Sequence, residues 1–441
     1  MKNIILFICV FAFVKVNAQT KQDAPKVYKK RVLETTEVDF LTSYYSQDGD
    51  NAAVSGGSGS ESLTDVTGTF VVSMPLNDDD ILTIDAGISA YTSASSSNIN
   101  PFDGDHADPF QASSGASSSD LWFNLTGSYT HSSDDRNDIW STKLAISSEY
   151  DYFSVGVGGS YTKLFNQKNT EISVHGNVYI DSWKLLYPVE LRSANVEDGE
   201  DREDEDDFNL DKATITGNAN YTPSFVPLDG TARNSYSVGF GFSQILHKNV
   251  QGSLALDFVK QDGLLSTPFQ RVYFSDVADS FVENFQLADD IERLPDSRFK
   301  VAVGGRLNWY LNEIVTLRTF YRYYYDDWGI SSNTASIEIP VKITDKFTLY
   351  PSYRYYNQSE ADYFKPSQTA LSTDEYYTSD YDLSKFTANQ FGFGVSYTNI
   401  FAKAHIRNFG LKSIDLKFYQ YDRDTSFSSS IITAGFKFVM D

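Results

Sequence analysis

VTLRTFYRYYYDDWG, residues 315–329, sets four tyrosines, a phenylalanine and a tryptophan among two arginines and two aspartates. In a water-soluble core the rings would be buried and Arg318, Arg322, Asp326 and Asp327 would go with them, at a cost of roughly several kcal/mol per unpaired ion. Reading the stretch with period two removes the conflict. Val315, Leu317, Thr319, Tyr321, Tyr323 and Tyr325 fall on one face, and Thr316, Arg318, Phe320, Arg322, Tyr324 and Asp326 on the other. That is the signature of a strand with an apolar and a polar side.

The same division recurs along the chain. Phe299, Val301, Val303, Leu307 and Trp309 oppose Lys300, Arg306 and Asn308; Phe347, Leu349, Pro351, Tyr353 and Tyr355 oppose Lys346, Thr348, Ser352 and Arg354. A soluble sandwich would alternate too, but its strands mostly run about five or six residues. A membrane-crossing strand tilted by about 45° needs about 9–11 residues. Sixteen segments of the longer kind can be marked out: 35–46, 63–74, 81–94, 120–131, 138–148, 152–164, 170–182, 234–246, 249–260, 297–310, 313–325, 331–343, 346–357, 386–400, 411–421 and 428–440.

Rings cluster at segment ends, where an aromatic girdle would meet the membrane interfaces. Trp122, Trp140, Trp309, Tyr323, Tyr325, Trp328, Tyr353 and Tyr355 are the girdle candidates, with Trp183 in a similar position. Short connections follow most even segments, and long ones (47–62, 95–119, 183–233, 261–296 and 358–385) follow odd segments. The pattern predicts a transmembrane antiparallel up-and-down β-barrel of about sixteen strands, with fourteen or eighteen as neighbours, and long extracellular loops. The last segment puts Ile432, Ala434, Phe436, Phe438 and Met440 on the lipid face.

The N-terminus fits export. Residues 1–18 combine Lys2, an apolar run from Ile4 to Val14 and Val-Asn-Ala before Gln19, the layout of a signal peptide cleaved after Ala18. A short periplasmic lead-in, 19–34, and one barrel domain, 35–441, would follow. Cys9 is the only cysteine, so the exported chain would carry no thiol or disulfide, as suits a Gram-negative envelope. The net charge of −23 argues against nucleic acid as a partner. Outer-membrane lipid and lipopolysaccharide are the expected surroundings, with a small solute or an envelope protein as a further partner.

The polar faces carry the candidate chemistry. Lys300, Arg306, Arg318, Arg322, Arg354, Asp85 and Glu338 are the candidates for lumen charge that sets selectivity, within a larger mixed set (Glu37, Asp39, Asp65, Asp257 and Asp415; Lys143, Lys342, Lys417 and Lys437). Cations concentrate in the later strands. If the signs face each other across water they select solutes; if they pair they fill the interior, and the outcome depends on strand shear. Asp103, Asp105 and Asp108 offer oxygens to Ca²⁺ but lack the ordered spacing of an EF-hand loop. The acidic run 194–209 reads as a solvated loop. Ser173 and His175 share a polar face without an evident third residue, and no nucleotide, haem or HExxH motif appears, so neither an enzyme nor a cofactor is expected. The leading expectation is a pore or an envelope scaffold. The rival is a surface-binding protein or barrel enzyme acting through loops 93–120 and 183–233.

The stretch 323–364, YYYDDWGISSNTASIEIPVKITDKFTLYPSYRYYNQSEADYF, followed by YYTSDYDLSKF at 376–386, resembles domain-of-unknown-function family 3570 of outer-membrane proteins from Bacteroidota and other Gram-negative bacteria. SGASSSD at 114–120 adds to the likeness. The resemblance implies an outer-membrane barrel and hints at envelope electron transfer; it supplies no reaction, substrate or cofactor residue.

Overall fold

The computed structural model describes residues 30–92, 119–192, 214–282, 285–399 and 401–440. Residues 1–18, with Cys9 and the expected cleavage site, lie outside them, as do Asp103, Asp105, Asp108 and the run 194–209. Sixteen long strands form one antiparallel sheet: β1 (Glu37–Gly49), β2 (Leu63–Pro75), β3 (Asp80–Thr92), β4 (Ser119–Ser132), β5 (Asp138–Ser148), β6 (Tyr152–Phe165), β7 (Thr170–Trp183), β8 (Ala232–His247), β9 (Val250–Gly263), β10 (Ser297–Tyr310), β11 (Thr316–Asp326), β12 (Ser331–Glu338), β13 (Phe347–Gln358), β14 (Phe386–Thr398), β15 (Phe409–Arg423) and β16 (Phe427–Met440). Each pairs with its sequence neighbours. The barrel closes where β1 meets β16, from Glu37↔Val439 to Gly49↔Phe427.

Closure is obligatory in a bilayer, where an unpaired edge amide finds no water. One strand tests the rule. Pro340 has no N–H to give the ladder, and β12 stops before it, to resume as Val341–Lys342 against β13. The Pro340 carbonyl still accepts from Thr316 N at 3.0 Å, which keeps the wall sealed.

The faces follow the period-two reading. Tyr321, Tyr323 and Tyr325 point outward and exposed, as do Phe70, Ile88, Leu144, Val303 and Phe393 on other strands. Such a belt would be an aggregation surface in water and is the lipid face of a membrane barrel. Trp140 and Trp309 are 41% and 44% exposed near the end that carries most of the short turns, and Tyr323, Tyr325 and Tyr355 lie outward toward the end that carries the long loops. Tyr353 shares the outward face of β13 and donates to Asn389 Oδ1 at 2.7 Å.

Three tryptophans depart from the girdle expectation. Trp122 pairs with the buried Ser89 and falls between the exposed Leu121 and Phe123, so strand parity turns it to the lumen. Trp183, 9% exposed, packs inside against Tyr152 and under the Arg233 guanidinium. Trp328, 3% exposed, is folded inward by the turn after β11.

Position along the strand sets the cost of charge on the lipid face. Val303 is near the middle of β10, so Val303→Arg should cost roughly 2–4 kcal/mol of folding stability in lipid vesicles, whereas an interfacial site costs only about 0–1 kcal/mol. Leu317 is the second residue of β11 beside a short turn, so Leu317→Arg should cost less than Val303→Arg. Urea unfolding followed by tryptophan fluorescence checks the order, and equal losses would refute the assigned depths.

Candidate functional site at the capped lumen

The long connections fold together at one end. Residues 50–62, 184–231, 264–296 and 359–385, where described, form a cap with its own apolar cores: Leu191, Phe225, Tyr273, Ala288 and Ile291 in one, and Val272, Phe274, Ala370 and Tyr377 in another. Short strands Arg271–Val272 and Asp290–Ile291 pair within it, and Ile215–Gly217 joins Ser280–Val282. Gly57 shows how closely the segments approach. Its φ is +81°, and a Cβ there would stand 2.8 Å from the Ser379 carbonyl oxygen.

Buried ion pairs tie the segments together. Arg271 donates from Nε to Glu190 Oε1 at 2.7 Å and from a second nitrogen to Oε2 at 3.2 Å, while its third nitrogen reaches the Val54 carbonyl at 3.1 Å. Three connections therefore meet on one guanidinium, with a Glu190 side chain that is wholly buried. Arg293 grips Asp290 at 2.8 Å, and Asp290 also accepts from Tyr377 at 2.6 Å. Arg423, at the top of β15, bonds Asp382 at 2.6 Å and lies over the Phe386 and Phe427 rings.

Beneath the cap the lumen charges are unevenly placed around the wall. Acids Glu37, Asp39, Asp65 and Asp85 face inward from β1–β3; cations Arg298, Lys300, Arg306, Arg318, Arg322 and Arg354 face inward from β10, β11 and β13. In a ring of sixteen, β10 stands eight strands from β2, half the circumference. The ion pairs run between near neighbours. Lys437 binds Glu37 at 2.6 Å, Arg318 binds Glu338 at 2.8 Å and Arg298 binds Asp326 at 2.5 Å. Asp65 accepts from Ser89 and Thr67, and Arg306 lies over the Phe320 ring. His175 Nε2 approaches Asp257 Oδ1 to 3.4 Å across Gly239, where a Cβ would collide with both side chains. Asp257, read from the sequence as a lumen acid, thus stands beside His175.

A family model described as "Protein of unknown function (DUF3570)" matches residues 6–425. The chain belongs to this family. No curated protein matches the sequence. Among solved structures, this DUF3570 barrel is similar to a bacterial polysaccharide outer membrane secretin (10% identity, 92% of this chain and 98% of that one, TM-score 0.44). It is also similar to a deletion mutant of the TodX monoaromatic hydrocarbon channel (10%, 92% and 90%, 0.39) and to a Pseudomonas aeruginosa FadL homologue (10%, 93% and 91%, 0.37). None of these names bears on what the DUF3570 chain carries.

The stretch 323–329 that carries the resemblance to DUF3570 is where wall meets cap. Asp326 is wholly buried and accepts from Arg298, from Tyr324 at 2.7 Å and from the amides of Trp328 and Ile330 at 3.1 and 3.0 Å. Trp328 donates Nε1–H to the Ser297 carbonyl at 3.0 Å, lies 4.3 Å from the Arg298 guanidinium and meets Tyr363 of the cap edge-on. Arg298, Arg423, Arg271 and Glu190 went unrecognised in the sequence. The signal for the cap was composition: residues 269–291 hold Phe269, Val272, Tyr273, Phe274, Leu287 and Ile291, too apolar for a solvated loop.

Four carboxyls in the DUF3570 cap, Glu61, Asp289, Glu292 and Asp380, are held toward their neutral form. Burial pushes Glu292 up to about 7 against the hydrogen bonds from Thr378 and Thr267, and pushes Asp289 up to about 6. Burial likewise takes Glu61 up to about 7, and burial with the neighbouring Asp382 and Glu292 raises Asp380. A raised acid binds its proton more tightly folded than unfolded, so cap stability is highest below the ordinary value of 4.5 for Glu292 and falls as pH rises through about 7. Hydrogen–deuterium exchange in 264–296, corrected for intrinsic rates, should quicken between pH 5 and pH 8.5. Glu292→Gln should flatten that dependence; an unchanged pH profile in the variant would count against Glu292 as its source.

Proposed function

We propose that the barrel is an outer-membrane channel for small polar solutes, filtered by the folded cap and steered by charge along the lumen. The observation that carries this reading is the separation of lumen charge, acids on β1–β3 and cations half a circumference away on β10–β13. Opposite fixed charges across a bore make a transverse field that orients dipolar solutes and favours one sign of ion. Glu37 and Asp39 pair with Lys437, and Arg318 with Glu338, whereas Asp65 and Asp85 on one wall and Arg322 and Arg354 on the other make no ion pair with a described residue, which supports a field across the bore. Such a wall works by charge and requires no catalytic group. The outward rows meet outer-membrane lipid.

A second reading, capture of a ligand or protein partner by the loops, is favoured by Val226 and Leu371, apolar side chains that stand exposed on the folded cap. Loss of capture on deleting 194–209 would support it.

Single-channel recording of the purified barrel in planar bilayers tests the channel. The expected result is a resolvable unit conductance, and Arg318→Glu, which sets a second acid beside Glu338, should move the reversal potential in a salt gradient toward cation selectivity. Heat-modifiable gel migration should show the variant still folded. Absence of current from the intact, folded barrel would sink the channel reading.

A further inference from the structure

The cations of the β10–β15 wall do not all have partners. Arg298, Arg318 and Arg423 bind Asp326, Glu338 and Asp382. Between them, Arg322 and Arg354 make no hydrogen bond or ion pair with any described residue, and the Nε of each is buried without a partner. Two further orphaned buried atoms, Thr334 Oγ1 and Gln390 Oε1, occupy adjoining positions. The ladder explains why these four coincide. Arg322 pairs with Thr334, which pairs with Tyr356; one inward row along, Ser336 pairs with Arg354, which pairs with Gln390, which pairs with Tyr421.

Arg322 and Arg354 are thus two strands and one inward row apart, roughly 12 Å between Cα atoms by strand geometry. Both side chains lie on the same lumen face, with Tyr356 and Tyr421 in adjoining ladder positions. Tyr421 accepts from Arg423 Nε at 3.1 Å, which leaves its own proton for another acceptor. Like charges on one face, with buried Nε–H groups that lack a partner and the Thr334 and Tyr421 hydroxyls beside them, are built for an anion. The planar forks of arginine match the paired oxygens of carboxylate, sulfate or phosphate better than a halide.

We propose that Arg322, Arg354 and Tyr421, with Thr334 beside them, form an oxyanion-binding station in the lumen wall. The proposal deepens the channel reading and rests on it for the anion being in transit.

Isothermal titration of the full barrel in detergent, with sodium sulfate as probe and sodium chloride as reference, tests the station without requiring conduction. Saturable sulfate binding is expected, weakened at least tenfold by Arg354→Gln and by Arg322→Gln, and unchanged by Lys168→Gln in the turn after β6. Arg354→Lys keeps the charge and loses the fork, so it should weaken binding less than Arg354→Gln; it also covers the case in which the glutamine variant fails to fold. Sulfate binding no tighter than chloride, or insensitive to both arginine substitutions, would overturn the station. Binding that follows Arg354 in a barrel that passes no current would uphold the station and remove the channel; current without saturable sulfate binding would do the reverse.

Discussion

Inside a bilayer no water is present to satisfy a backbone amide, so a sheet can cross only by pairing every strand on both sides. The Glu37–Gly49 ladder with Phe427–Met440 is therefore the contact on which the rest depends. Once it forms, each strand must present one face to lipid and the other to the lumen, and each side chain is assigned by parity alone. The charges at 318, 322 and 354 are tolerable because closure gives them an interior. The same closure fixes which walls face each other, and so turns a list of acids and cations into a field with a direction.

The cap follows different rules. Its segments leave the ends of odd strands and obey no period, yet they bury enough apolar surface to order one another. Within it Arg271 and Arg293 act as joints between segments remote in sequence. Each pairs with a nearly or wholly buried carboxylate, an arrangement whose value lies in fixing one geometry, since desolvation consumes much of the Coulomb gain. Glu292, bonded to Thr378 and Thr267 rather than to an arginine, is instead driven by burial to hold its proton more tightly.

The barrel was legible in the sequence because two media impose a strict alternation, and sixteen segments could be counted from it; the strand ends shifted by a few residues where polar residues continue a ladder beyond the membrane, as at Gln47–Gly49. Side-chain chemistry was less informative at the ends. A tryptophan beside a strand terminus suits an interfacial girdle and a loop core equally, and only the turn at Asp326–Gly329 decides that Trp328 belongs to the core. Trp122 was misassigned for a simpler reason: parity, and not distance from the strand end, sets its side. The pairing of lumen charges was hidden because it depends on which residues fall opposite across hydrogen-bonded rows, a property of shear that no local pattern records.

The joint between Arg271 and Val54 spans 217 residues of chain. Its parts lie in the connections that emerge from β1 and β9, on opposite sides of the ring, so the cap cannot assemble before both strands stand in the barrel. Those connections must cross as unfolded polypeptide, for a preassembled bundle with buried ions would be too bulky and too costly to pass through lipid. Once assembled on the far side, that bundle could not be drawn back without being unravelled. The cap is therefore a late structure, which can form only on a barrel whose strands are already in place.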